Sequence, residues 1–236
     1  MLSVKYRIMK IPKIIHQLWD EKIPLPEFFS NLGETWKNCN PSWKYIFWDK
    51  SKMDYFVQES FPSFMSTING FKHDVQRWDV IRYLILYKYG GVYVDFDYEC
   101  LESLDNLLLD KSCCFGLEPR EHAQLFKKEK VISNAFIAIT PGHQFMEQIL
   151  KTVQHSSSIA NEKLIYVLET TGPHMLVDLY DQYPKKEEIS LIPSEFICPL
   201  TKMDVSNYIN GLIDEELLGE KIKNAVAIHY FWGSWG

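Results

Sequence analysis

The chain has 236 residues, 46% of them apolar and 24% charged, with a formal net charge of −6. That length suits one domain, residues 1–236, with a sizeable core, and the composition excludes an intrinsically disordered chain. The acidic balance excludes extended nucleic-acid binding, and no run reaches the roughly 18 apolar residues of a membrane-spanning helix.

Ile11 to Trp19 alternates as a first strand, Pro26 to Asn38 reads as a helix, and Trp43 to Trp48 is a second strand with a helix to follow. From about Asp74 to Tyr89, a helix presents Val80, Ile81, Leu84, Ile85 and Tyr87 for burial and brings Asp79 and Arg82, three positions apart, onto one face. Gly90 and Gly91 stop that helix. The next strand runs into Asp95 and Asp97, which point one way while Val92, Val94 and Phe96 face a core. Cys113 to Leu117 and Val131 to Ile139 are further strands, and Pro141-Gly142 opens a helix that ends near Ser156 to Ser158. Residues 118 to 130, with Arg120, Lys127, Lys128 and Lys130, read as a polar insertion, either an acceptor loop or a solvated charge run. Ala225 to Ile228 is the edge of a strand that ends at His229.

Strands alternating with helices imply an α/β fold with a mostly parallel sheet and ligands at the carboxyl ends of its strands. Two carboxylates crowded there repel each other, and a hard divalent cation relieves that repulsion while bridging to phosphates. Met1 to Lys10 lacks the apolar core of a signal peptide, and the five cysteines show no C-x-x-C spacing, so a reducing, cytoplasmic setting is expected.

The run Asp79-x-x-Arg82, then Leu86-Tyr87-Lys88-Tyr89-Gly90-Gly91-Val92-Tyr93-x-Asp95-x-Asp97, resembles the DXD glycosyltransferases of the capsular polysaccharide and Och1-like mannosyltransferase family, glycosyltransferase family 32. These in turn look like the catalytic domains of clostridial glucosylating toxins. Ile11 to Trp19, Asn40-Pro41-x-Trp43-x-Tyr45-x-x-Trp48, Asn134-Ala135-Phe136, Thr171-Gly172-Pro173 and His229 to Trp235 fall in the family's order, so the likeness spans nearly the whole chain. One departure is Trp78, where the family usually has serine before the helix aspartate.

The resemblance implies a glycosyltransferase-A type, Rossmann-like α/β/α sandwich. It also implies a metal-dependent, retaining transfer of a sugar from a nucleoside diphosphate donor, a UDP-sugar or GDP-mannose, to a glycan or lipid-linked saccharide in surface polysaccharide synthesis. Mn²⁺ or Mg²⁺ would be held by Asp95, Asp97 and His229. Asp79, Arg82 and Asp95 would position the donor sugar, Trp19 would stack on the base, and Asn134, Ser234 and Trp235 would complete the donor site. No obvious nucleophile is present, which favours a front-face substitution. The protein would be peripheral at the inner face of a membrane through its acceptor. Two alternatives stand beside this reading: a haloacid-dehalogenase-like phosphatase with Asp95 as nucleophile, and a non-catalytic sugar-nucleotide-binding protein.

Overall fold

A computed structural model describes residues 8–20 and 24–232. Its centre is a six-stranded sheet in the order β2-β1-β3-β6-β5-β7, built from β1 (Ile14–Leu18), β2 (Lys44–Trp48), β3 (Gly91–Val94), β5 (Cys113–Leu117), β6 (Ile132–Ile139) and β7 (Ser190–Ile192). β1 pairs in parallel with β2 and β3, and β5 with β7, whereas β6 runs antiparallel to both its neighbours. The expected mostly parallel α/β sheet is therefore present, with one reversed strand near its middle. That reversal brings the amino end of β6 to the same edge as the carboxyl ends of the others.

The sheet is covered on both faces, as its runs of apolar residues require. Tyr93, Phe115, Ile137 and Ile139 pack with the helices Asp74–Tyr89 and Gln144–Val153, while Val92, Val94, Cys114, Phe136 and Ala138 pack on the other side with Trp36 of the helix Glu27–Cys39. Strand alternation divides these residues between the two cores.

The helix Asp74–Tyr89 has the expected bounds, but it is buried around most of its circumference rather than along one stripe. Val80, Leu84, Ile85 and Leu86 are inaccessible to solvent, and so are the polar neighbours Gln76, Asp79 and Arg82 to within a few per cent. Gly90 ends it at φ +62°, and Gly91 follows at φ +95°. A Cβ at Gly91 would lie 2.5 Å from the carbonyl oxygen of Ile14, so the two glycines both turn the chain and let β3 close on β1.

Two expectations need correction. β3 ends at Val94, so Asp95 and Asp97 sit on a turn, closed by the Tyr98 N–H donating to the Asp95 carbonyl at 3.3 Å, and not on one regular strand. The stretch 118–130 is not simply a solvated insertion, because the short helix Arg120–Leu125 buries His122 and Ala123. The expected carboxyl-terminal strand is present as β8 (Ala227–His229), outside the main sheet; it pairs antiparallel with β4 (Tyr98–Cys100), with Tyr98 opposite His229.

Candidate active site

The small β4–β8 sheet folds the end of the described chain back over the carboxyl edge of the main sheet. His229 lands beside the turn that carries Asp97, with its Nε2 at 3.2 Å from Asp97 Oδ2. The Trp232 backbone N–H donates to the same Asp97 oxygen at 3.0 Å, and the Tyr98 and His229 rings stack at 4.2 Å. Burial pushes the Asp97 carboxyl up, but the His229 charge and the Trp232 N–H outweigh it and hold the group below the usual aspartate range. His229 moves the other way: burial lowers it, and Asp97 more than compensates.

Asp95 has different company. Its Oδ1 accepts from the Tyr93 hydroxyl at 2.5 Å and faces Arg82 Nη1 at 3.3 Å, and the Arg82 guanidinium lies over the Tyr93 ring, 4.5 Å from its centre. Arg82 also pairs with Asp79 at 3.3 Å and donates to the carbonyl of Asn134 at 2.9 Å. Both Asp79 oxygens are occupied, Oδ1 by the Asn134 amide at 2.8 Å and Oδ2 by the Thr171 hydroxyl at 2.7 Å. Asp79 is 3% exposed and Arg82 5%, which removes the reading of this pair as a surface ion pair. Burial lifts the Asp79 carboxyl to about 6 against the opposing pull of Arg82, Thr171 and Asn134. Burial works against the Arg82 charge, yet Asp95, Tyr93 and Asp79 together hold it firmly protonated.

The structure thus joins Asp79, Arg82, Asp95 and Asn134 in one buried network and sets Asp97 with His229 beside it. Trp19 lies one residue past β1, half-buried, packed on Phe29 and edge-on to Phe96 of the same turn at 6.0 Å. Ser234 and Trp235 lie outside the described residues. Thr171 serves Asp79 rather than an open sugar pocket. Tyr93 was missed by the sequence reading, although its place two residues before Asp95 is the same-side spacing that singled out Asp95 and Asp97.

The donor set is suited to a divalent cation. A carboxylate and an imidazole stand side by side, and the buried Nδ1 of His229 has no hydrogen-bond partner among the described residues. No group of three or more acidic, histidine or cysteine side chains converges to enclose a metal among those residues. Asp97 and His229 therefore match a cation that fills its remaining positions with water and phosphate oxygens. To bind one, His229 must give up the proton it shares with Asp97.

Residues 26–114 match the model of the family described as glycosyltransferase sugar-binding region containing DXD motif. An uncharacterized glycosyltransferase, L373 of Acanthamoeba polyphaga mimivirus, is 30% identical over 202 residues, which are 80% of this chain and 73% of that protein. This chain belongs to the DXD-motif glycosyltransferases. Mannosyl phosphorylinositol ceramide synthase SUR1 of Saccharomyces cerevisiae is 32% identical over 175 residues, covering 74% of this chain and 43% of the relative. Inositol phosphoceramide mannosyltransferase 1 of Schizosaccharomyces pombe is 32% identical over 191 residues, covering 78% and 56%. The chain thus spans about half the length of these curated fungal relatives. Among solved structures, the PaToxG glycosyltransferase superposes with a TM-score of 0.56 at 15% identity, over 91% of this chain and 84% of that one, a likeness of fold. Family membership sets aside the phosphatase alternative, and the Asp95 oxygen already held by Tyr93 and Arg82 agrees with that.

Proposed function

We propose that this domain transfers a hexose, with mannose the first candidate, from a nucleoside diphosphate donor to a hydroxyl of a polyol or sugar headgroup on a lipid-linked acceptor. The observation that carries this reading is the Asp97–His229 pair, closed by the β4–β8 sheet at the edge where Trp19 follows β1 and Asp95 follows β3. Anion and metal chemistry are together there, with an aromatic face beside them for a nucleotide base. The names of the two fungal relatives, a mannosyl phosphorylinositol ceramide synthase and an inositol phosphoceramide mannosyltransferase, support a mannosyl donor and a glycolipid acceptor over a capsular polysaccharide. Among the described residues no helix is long and apolar enough to cross a membrane; a peripheral approach to the acceptor from the cytoplasmic side is part of the proposal.

Asp97 and His229 would hold Mn²⁺ or Mg²⁺, which when bound neutralises the charge growing on the leaving diphosphate. Arg82, locked between Asp79 and Asp95, fixes the Asp95 carboxylate against the donor, and held geometry replaces translational entropy otherwise lost at the barrier. In a retaining front-face substitution the bond from the anomeric carbon to phosphate oxygen breaks as the acceptor oxygen bonds on the same face. The acceptor proton passes to the departing phosphate oxygen.

The test is a screen of UDP- and GDP-sugars by thermal shift, with Mn²⁺, Mg²⁺ or EDTA, followed by donor hydrolysis and transfer to inositol phosphoceramide in detergent micelles. A donor at 100 times its Kd adds about 2.7 kcal/mol of stability. The reading requires a cation-dependent shift with one donor and turnover of that donor. Absence of both with every donor would sink it.

A further inference from the structure

Across the carboxyl edge of the sheet, Asp95 follows β3, Asn134 lies on β6, and one strand further Glu118 follows β5. The Glu118 side chain is 16% exposed, and its one ion-pair partner among the described residues is His122, whose Nδ1 stands 2.9 Å from Glu118 Oε2. The tautomer of His122 is fixed by its other nitrogen: Nε2 accepts the Lys202 backbone N–H at 3.1 Å, so Nδ1 carries the hydrogen and donates to Glu118. Glu118 is therefore an acceptor held in place by the His122 Nδ1–H. Its second oxygen, Oε1, has no hydrogen-bond partner among the described residues.

The Glu118 side chain keeps 16% of its surface open to solvent, so a ligand hydroxyl can reach that oxygen. The dyad also abuts the metal pair. The His122 ring meets the Phe231 ring at 4.7 Å, and Phe231 meets His229 at 4.0 Å, with Phe231 held at φ +47°, a conformation costly for a bulky residue. On the same side lies His174, buried, edge-on to Phe126 at 4.8 Å, its Nε2 without a partner among the described residues. In strand order Asp95 and Asp97 follow β3 on one side of Asn134, and Glu118 follows β5 on the other.

We propose that Glu118, oriented by His122, is an acceptor-binding residue whose free oxygen accepts a hydrogen bond from an acceptor hydroxyl. The ligand class is a ring polyol, a sugar or cyclitol headgroup. This rests on the glycosyltransferase reading above, and the role is separable from it because transfer of the sugar to water needs the donor site alone.

The full chain and its Glu118→Ala and Glu118→Gln variants are compared in two assays with GDP-mannose and Mn²⁺: donor hydrolysis without acceptor, and transfer to inositol phosphoceramide in micelles. Melting temperatures are measured alongside. In Glu118→Ala the acceptor kcat/KM should fall roughly 10- to 100-fold, the effect of one hydrogen bond to a charged group, mainly through KM, with donor hydrolysis within about twofold of the parent chain. Glu118→Gln, which keeps a carbonyl acceptor, should lie between the two. An unchanged acceptor KM with a lowered melting temperature would make the dyad a structural tether and overturn the proposal. Equal loss of hydrolysis and transfer would do the same by placing Glu118 on the donor side. Absence of both hydrolysis and transfer in the parent chain with every UDP- and GDP-sugar of the screen would overturn the glycosyltransferase reading itself, and this assignment with it.

Discussion

The indole N–H of Trp48 donates to Nδ1 of His16 at 3.1 Å, which leaves the Nε2–H of His16 to donate to the Gly90 carbonyl at 3.0 Å. Through one imidazole the end of β2 is tied across β1 to the turn that begins β3, the strand leading to the site. His16 is fully buried and both ring nitrogens are used, so its place in a strand of the candidate family signature reflects structure and not catalysis.

That arrangement makes acid stability a test of His16. Burial, the largest influence, lowers its pKa to about 4, and the Gly90 hydrogen bond only partly offsets it. A histidine with a depressed folded pKa contributes stability that is complete above its unfolded value near 6.5 and is lost as pH falls towards 4. Over that window roughly 3 kcal/mol should disappear on this account. NMR of the His16 ring should show the neutral Nε2–H tautomer at pH 5, and denaturant midpoints should fall between pH 6.5 and pH 4. A His16 ring that titrates near its ordinary value would refute the tautomer and its consequence.

Asp79 gives the opposite sign. Its pKa is raised to about 6, chiefly by burial, so its contribution is favourable while it is protonated and is lost as pH rises from about 4 to 6. Asp79→Asn keeps the shape and can still bond Asn134 and Thr171. The variant should match the parent near pH 4 and be more stable by up to about 3 kcal/mol above pH 6, while turnover drops because Arg82 loses one of its two carboxylate partners. Urea unfolding at several pH values with turnover measured alongside checks both halves; a variant less stable at pH 8 than the parent would contradict this.

Gly91→Ala should be severely destabilising. The φ of +95° and the 2.5 Å approach to the Ile14 carbonyl leave no room for a methyl group. Strain of about 1–3 kcal/mol comes from the backbone alone, and parting β1 from β3 adds to it. Soluble yield and melting temperature measure this. Gly142→Ala, at φ +68° but with nothing near its would-be Cβ, isolates the backbone strain from the clash.

Much of this architecture was legible because it is locally encoded. The helix Asp74–Tyr89 and the strand Cys113–Leu117 have the expected bounds, since glycine stops and apolar runs act within a few residues. The reversal of β6 was not legible: Ile132–Ile139 is a buried apolar run whichever way it points, and its direction is set by the sheet it joins. The separate β4–β8 pair escaped for the same reason, because three residues at each end of a long loop closure carry no periodicity. At the site, Asp79 with Arg82 followed from helical spacing, whereas the bond from Thr171 to Asp79 spans 92 positions and is a product of tertiary folding alone. The stretch 118–130 was legible as a candidate acceptor loop, but Glu118 and His122 were not singled out within it, though their i, i+4 spacing was a signal.

The two carboxylates of the Asp-x-Asp turn have different surroundings, and substitution should separate them. Asp97 faces His229 and the Trp232 N–H, whereas Asp95 faces Arg82 and Tyr93. In calorimetric titrations of the donor with and without Mn²⁺, Asp97→Asn should remove the cation dependence and weaken donor binding by more than the roughly 10- to 100-fold expected of a group that merely supports a ligand. The amide still accepts the Trp232 N–H but loses the charge that pairs with His229, so the melting temperature should fall as well, and donor binding is compared below that transition. Asp95→Asn should keep the cation dependence and lose turnover, because the Arg82 charge then has Asp79 as its one carboxylate partner and no longer fixes an anion against the donor. If both variants lost the Mn²⁺ response equally, Asp95 would be a ligand of the cation in its own right, and the division of roles between the two aspartates would be wrong.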